Sequence, residues 1–373
     1  MVGRANRQHS AVVDIIAQDG LEWIKVSYIT EKRILWDLAK SGYAGDESSE
    51  EEEGRSDVDD EPEGLLKQAE ALKKASRATR IRYRHPAIRL VLPRIKAQPD
   101  IKEVGAVLQR IRDLGIIVET MESVPATVPD VTSVLSQMVS GRFDNFTDPI
   151  NVDCTILLAF ASDLSHGRVE SEDWHNQAIG RQIDMESQDQ LLPSSLWPAC
   201  GSRELVCTHE AAIRMQEIVA IIGTKSERRR TELILNLSAK DTNMTREERI
   251  TEFQSLTVYT VPSNWQIPIN VINVSIPELV SNLPPAAEIV AKQLTLINQS
   301  VFLYGWHKGL TTVSSNRSVA HKIENLVEAA RGGDEELRGP NVWLTAMSRS
   351  LVGKEKQRRG FVKLGEGSDD GDI

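Results

Sequence analysis

"PINVDCTILLAFASDLSHG", Pro149 to Gly167, sets a single carboxylate, Asp153, between a short apolar run and a longer one. The short run ends at Val152 or Asp153 and reads as a strand. Ile156, Leu157, Phe160 and Leu164 then follow at helical spacing, with Thr155 placed to cap the helix. An aspartate where a strand hands over to a helix has two readings. It lies at the mouth of a site, or it only helps to cap the helix, a role for which Asp is a preferred residue.

Downstream the same alternation continues. "ELVCTHEAAIRMQEIVAIIG" is a strand, Leu205 to Thr208, flowing into a helix, and "SERRRTELILNL" continues as helix. "QSLTVYTVP" and "INVINVSIP" are read as strands and "LPPAAEIVAKQLTLINQS" as a helix. "GLTTVSSNRSVAHKIENLVEAARGG" is a strand and then a helix. Strands alternating with helices predict an α/β fold with a mostly parallel sheet and flanking helices, its chemistry at the carboxyl ends of the strands.

Upstream, the spacing of Val12, Val13 and Ile16 predicts a helix stopped by Gly20, and "LEWIKVSYI" a half-buried strand. "TEKRILWDLAKSG" is a capped helix with Thr30 as N-cap, Ile34, Leu35 and Leu38 inward and Gly42 just past its end. "LLKQAEALKKASRAT" is amphipathic, and a helix leads to a strand at Ile116–Val118. These make a smaller N-terminal α/β domain over 8–128. A Pro-containing linker over 129–148 and the second domain over 149–335 follow.

The chain of 373 residues suffices for two cores, and 40% apolar with 26% charged residues is ordinary for a globular protein. The net charge of −10 is unevenly spread. "DESSEEEEGRSDVDDEPE", Asp46 to Glu63, carries eleven acids and one arginine, and "EGSDDGDI" adds four acids, so the remaining chain lies near +4. Such runs repel themselves and have little to bury, so 44–63 and 353–373 are expected to be disordered. Ser48, Ser49 and Ser56 beside the acids resemble phosphorylation sites. No apolar run approaches the ~20 residues that span a bilayer. The start "MVGRANRQHS" lacks the apolar core of a secretory signal. Three cysteines without a CxxC pair read as reduced thiols, so a cytoplasmic or nuclear location is expected.

Residues 73–96 hold nine Lys or Arg and no acid. Arg77, Arg80, Arg82, Arg84 and Arg89 would contact the phosphates of RNA, and Tyr83 would stack on a base. The alternative is an arginine-rich solvated face. Arg228 and Arg229 in "KSERRR" pose the same choice. Cys207 and His209 fall on one face of a strand, as a Cys–His nucleophile or, more simply, as core. No HExxH, GxSxG, Walker-type loop or GxGxxG is present.

"NVDCTILLAFASDLSHG", "EAAIRMQEIVAIIGTKSERRRTELI", "YGWHKGLTTVSSNRSVAHKIEN", "DGLEWIKVSYITEKRIL" and "IRYRHPAIRLVLPRI" together resemble the eukaryotic family built on domain of unknown function 1308. Its name assigns no activity, but its C-terminal region is similar to PIN domains, α/β folds that in active members cut RNA with metal ions held by three or four acids. The resemblance implies a PIN-like second domain. It puts Asp153 and Glu210 in the roles of catalytic, metal-holding acids, with Thr155 in support. Glu217, Glu227 and Asn316 stand as candidates for the rest of the set. Lys308 and Asn316 stand where active members carry aspartates. Mg²⁺ or Mn²⁺ would be held by such oxygens. Three readings remain open: an RNA-binding protein with a degraded metal site, a divalent-metal-dependent ribonuclease, or a protein-interaction scaffold. If the acidic run folds back on the basic stretch, deleting residues 46–63 will tighten RNA binding in a filter-retention titration. Unchanged affinity would discard that competition.

Overall fold

A computed structural model describes residues 11–43, 64–125, 127, 129–138, 141–167, 169–173, 175–347 and 349–351. The acidic run and the acidic tail lie outside the described residues. The chain divides into two compact units at residues 139 and 140.

The first unit runs β1 (Ile15–Ala17), β2 (Glu22–Val26), α1 (Glu31–Tyr43), α2 (Leu65–Ala78), β3 (Ala87–Leu92), α3 (Lys102–Asp113), β4 (Ile117–Thr120) and α4 (Val131–Met138). Its sheet has the order β1-β2-β3-β4. β1 is antiparallel to β2, and the other pairs are parallel. The helix expected around Val12–Ile16 is therefore a strand. Asp19 and Gly20, both at positive φ, reverse the chain so that Ile15 faces Ile24, and the pairing overrides the helical spacing. α1 starts as expected, with Thr30 Oγ1 accepting from the Arg33 amide at 3.4 Å. It continues through Gly42, and Leu35 is exposed rather than inward, because Ile34 and Leu38 take the core-facing positions. Ile34 joins Leu65, Ala69 and Leu72 of α2, Leu90 and Leu92 of β3, and Val104, Leu108 and Ile111 of α3 in one apolar core. Helix α4 occupies part of the stretch read as a linker.

The second unit contains β5 (Ile150–Val152), α5 (Cys154–Ala161), α6 (Gln177–Gln188), α7 (Trp197–Cys200), β6 (Leu205–Thr208), α8 (His209–Ile222), α9 (Lys225–Leu235), α10 (Arg246–Ser255), β7 (Asn270–Ile272), α11 (Ile276–Ser281), α12 (Ala286–Lys292), α13 (Leu296–Lys308), β8 (Thr312–Ser314), α14 (Arg317–Ala330) and β9 (Val342–Leu344). The five strands are parallel, in the order β7-β6-β5-β8-β9. From β5 the chain first moves outward through β6 and β7, then returns to the other side of β5 as β8 and β9. The seam between β5 and β8 is thus a topological switch point, where ligands of open parallel sheets bind.

Several local readings are corrected here. "QSLTVYTVP" forms no strand: the Gln254 side chain donates to the Tyr259 carbonyl at 2.9 Å and accepts from the Val261 amide at 2.8 Å, folding the segment back on α10. "SERRR" opens a separate helix, because Thr224 and Glu227 form a capping box after Gly223. Thr295 caps α13 and so divides the helix expected over Leu283–Ser300. The fifth strand, β9, lies beyond residue 335, where the sequence reading ends the second domain.

Helices α5, α8 and α9 pack together, and α13 lies against β5, β6 and β8. Asn151, fully buried in β5, donates through Nδ2 to the Val301 carbonyl (2.9 Å) and to Thr312 Oγ1 (3.0 Å). Gly305 permits that approach: a Cβ there would sit 2.0 Å from Thr312 Oγ1. Trp265 meets Phe253 and Trp197 edge to face and Phe160 at a tilt in the core.

Two arginines are internal struts. Arg349 donates to Glu186 Oε2 at 2.8 Å, and the next residue, Ser350, is held by Gln182 and by the Ser162 hydroxyl. Arg230, whose side chain is wholly enclosed, donates to Asp163 Oδ1 (2.7 Å), the Ala161 carbonyl (2.8 Å) and the Leu256 carbonyl (3.1 Å). Burial pushes the Asp163 carboxyl up, but hydrogen bonds from Thr224, Ser226 and Arg230 prevail and hold it below its ordinary value. Arg230→Met leaves the Ala161 and Leu256 carbonyls without this donor and the Asp163 carboxylate without its countercharge. It is expected to lower stability to urea by ~3–5 kcal/mol, read by circular dichroism. A loss below ~1 kcal/mol, the scale of a surface pair, would show that the strut is dispensable.

Candidate functional site

Asp153 occupies the N-cap position of α5 with extended backbone, yet its side chain makes no capping hydrogen bond. Oδ2 instead accepts from the Ser314 hydroxyl at 2.6 Å and from the Thr155 hydroxyl at 2.8 Å. Ser314 is the last residue of β8, across the switch-point seam. Thr155, read from sequence as the helix cap, bridges in the same direction: its Oγ1 accepts from the Ser315 amide at 3.0 Å. The Asn316 amide donates to Ser314 Oγ at 2.9 Å, and the Asn316 side chain caps α14 by accepting from the Val319 amide. The result is a closed polar knot over the carboxyl ends of β5 and β8.

Asp153 is 2% exposed. Burial pushes its carboxyl above the ordinary aspartate range; the Ser314 and Thr155 hydroxyls oppose this without cancelling it. Desolvation therefore outweighs hydrogen bonding, and the neutral acid is favoured relative to a solvated aspartate.

The other candidate acids have different environments. Glu210 lies in the first turn of α8, directly after β6, the strand on the opposite side of β5. It is half-buried, and its Oε2 is enclosed with no hydrogen-bond partner. Glu217 is exposed and paired with Arg214 at 3.2 Å. Glu227 is fully buried as part of the α9 capping box, accepting from the amides of Thr224 and Asp163, so its lone pairs serve the fold. Lys308 is exposed in the last turn of α13, and Ser314, which the sequence reading did not single out, is the β8 residue that reaches Asp153. Among the described residues, no three His, Cys, Asp or Glu side chains gather into a metal-holding group.

The nucleophile reading of Cys207 and His209 fails on burial and position. Cys207 is enclosed in β6, and burial pushes its thiol up to about 12, so it stays protonated. His209 already belongs to α8 and is exposed. Burial, followed by the charge of Asp153, also raises the neighbouring Cys154 thiol to about 12.

The expected nucleic-acid contacts divide in two. Arg89 is held by Glu22 at 2.7 Å and by Glu119 on the sheet. Arg82 pairs with Asp19 at 3.3 Å. Arg229 is held by Glu252, Asp241 and Glu232, whose hydrogen bonds raise its pKa. These carboxylates neutralise the charges meant for phosphate. Tyr83 is buried in a turn at positive φ and has no face to offer a base. Arg228 is exposed but donates to the Ala220 carbonyl at 2.8 Å. Arg84 is exposed and Arg80 half-buried. Arg77 lies with Lys73, Lys74, Glu70 and Leu114 around a shallow depression. Lys73, Lys74 and Arg77 form no ion pair among the described residues.

Because Asp153 titrates higher folded than unfolded, its protonated form stabilises the fold fully below the unfolded value. That contribution is lost as pH rises through the folded value. Asp153→Asn keeps an acceptor oxygen without the charge. It is expected to melt at or above the wild-type temperature at about pH 7, with the gap closing towards about pH 4, in thermal denaturation followed across pH. A lower melting temperature at neutral pH that recovers on acidification would overturn this assignment.

Residues 150–261 match the family described as protein of unknown function (DUF1308), a span that holds Asp153 and Glu210 but not Ser314. Neither a curated protein nor a solved structure matches the chain.

Proposed function

We propose that the second unit is a PIN-like domain and that the protein binds RNA without cutting it through metal ions. The observation that carries this reading is the Asp153–Ser314 contact, 2.6 Å across the switch point. An aspartate ends the first strand of the parallel sheet, a threonine follows at D-x-T spacing, and a glutamate opens the helix after the second strand. These are the positions in which active PIN domains begin their acidic set. At the end of β8, where such domains continue it, a serine donates to the aspartate. Hard divalent cations need several ionised oxygens with free lone pairs. Asp153 is buried, biased towards its neutral form and already holding two hydroxyls on one oxygen. The residues present therefore do not fit Mg²⁺ or Mn²⁺.

RNA is the anionic partner that best suits the first unit. Lys73, Lys74 and Arg77 line one depression without ion pairs among the described residues, and their charges are the kind that displace counterions from a nucleic-acid backbone. The second reading, a metal-dependent ribonuclease, is favoured by one observation: the enclosed, unpartnered Oε2 of Glu210.

Labelled single-stranded RNA separates the two. The full chain is expected to bind in a salt-sensitive manner and to leave the strand intact with Mn²⁺. Replacing Lys73, Lys74 and Arg77 by alanine should flatten the slope of log affinity against log salt by about 2, at ~0.7 per phosphate contact on single strands. Manganese-dependent cleavage abolished by Asp153→Asn would establish the nuclease instead. Absence of binding and cleavage would leave a protein scaffold.

A further inference from the structure

Among the described residues, the first unit presents two large aromatic rings to solvent, and both have cations over them. Tyr28, in the loop after β2, is 65% exposed, and the guanidinium of Arg94, in the loop after β3, lies 5.6 Å from its ring centre. Trp36, on α1, is 52% exposed, with Arg33 at 4.6 Å and Lys40 at 5.5 Å from its ring centre.

Each placement follows from local structure. Arg33 and Lys40 stand three residues before and four after Trp36, so all three share one helix face, while Ile34 and Leu38 turn to the core. Asp37 grips Arg33 Nε at 3.0 Å and keeps the guanidinium beside the ring. β2 and β3 are neighbouring parallel strands, so the loops bearing Tyr28 and Arg94 leave the same carboxyl edge. The Ser27 amide ties them together by donating to the Val91 carbonyl at 2.9 Å. That edge is where parallel α/β sheets place their ligands.

A tryptophan contributes most to stability when its ring is enclosed. Here a ring stays in water on the outer stripe of a helix, between two cations, and a tyrosine repeats the arrangement on the adjoining loop. Flat apolar surface alternating with positive charge is complementary to a chain of flat bases alternating with phosphates. Duplexes hide their base faces, and acidic peptides have none to stack.

We propose that Tyr28 and Trp36 are stacking platforms for the bases of single-stranded RNA, with Arg94 as the phosphate contact beside them. This rests on the RNA-binding reading above and assigns that function a second surface, distinct from the lysine-lined depression. When a base stacks on Tyr28, Arg94 moves to the adjoining phosphate.

The test is fluorescence anisotropy of a labelled oligouridine of about 12 nucleotides, titrated with the full-length chain and with Tyr28→Ala, Trp36→Ala, Tyr28→Phe and Trp36→Phe. Each alanine variant is expected to bind ~5- to 100-fold more weakly, with the salt slope unchanged because no charge is lost, and each phenylalanine variant should retain near-wild-type affinity. Should an alanine variant melt early, Trp36→Gln and Tyr28→Gln, equally unable to stack well, take its place. Wild-type binding that these substitutions leave within about twofold overturns the platforms while the lysine-lined depression stands. Equal affinity for a duplex of the same length also overturns them, since phosphate alone would then be read. No binding by the wild-type chain removes this proposal and the RNA-binding reading together.

Discussion

The seam between β5 and β8 is the constraint on which the second unit depends. Its register pairs Asn151 with Thr312 and Val152 with Val313, and the Asp153 amide donates to the Val313 carbonyl at 3.0 Å. A buried amide side chain would be costly without partners. The Asn151 Nδ2 finds two, Thr312 across the seam and the Val301 carbonyl, and the second requires α13 to lie close over the strands, which Gly305 allows, while Oδ1 is enclosed without a partner. Strand side chains alternate between faces, so a slip of one residue would send Thr312 and Ser314 to the opposite side of the sheet. The Asp153–Ser314 contact is thus a consequence of register as much as of residue identity.

Competition between effects decides what each charged group can do. At Asp153, removal from water acts against ionisation and two hydroxyls act for it, and removal from water is the stronger. At Asp163, which is less completely enclosed, the penalty is overcome by the Thr224 and Ser226 hydroxyls together with the charge and hydrogen bond of Arg230. Deeper burial and the lack of a cation leave Asp153 inclined to keep its proton, whereas Asp163 gives its proton up. Cations are sorted in the same way. Arg89 and Arg229 stand among carboxylates at hydrogen-bonding distance, whereas Lys73, Lys74 and Arg77 line a depression that includes a single acid, Glu70.

Much of this was legible in the sequence. The strand-to-helix handover at Asp153, the strand before Glu210 and the α/β alternation follow from local periodicity, and local periodicity survives folding when the apolar face has a core to meet. What could not be read depends on residues distant along the chain. Ser314 lies 161 positions from Asp153, and only the pairing of β8 with β5 brings them together. That signal was available as the last residue of a strand returning to the switch point, but a family position at Lys308 drew attention first. Nine cations without a neighbouring acid read as a phosphate surface because Glu22 and Glu119 approach Arg89 from other strands. Val12–Ile16 read as helix because turn residues at positive φ, two or three positions on, impose a hairpin. Tyr83 read as a stacking ring because a turn buries it, whereas Tyr28 and Trp36, unremarkable by composition, are the rings left in water.

Arg349 lends the end of the described chain an architectural role. Its guanidinium is inserted beside the Glu186 carboxylate, Ser350 is stitched to α6 and to the residue after α5, and Leu351 is buried. Trimming the protein just ahead of this point would strand an acid in the interior and unseat helix α6. That guanidinium anchors the chain some way past the last strand of the sheet.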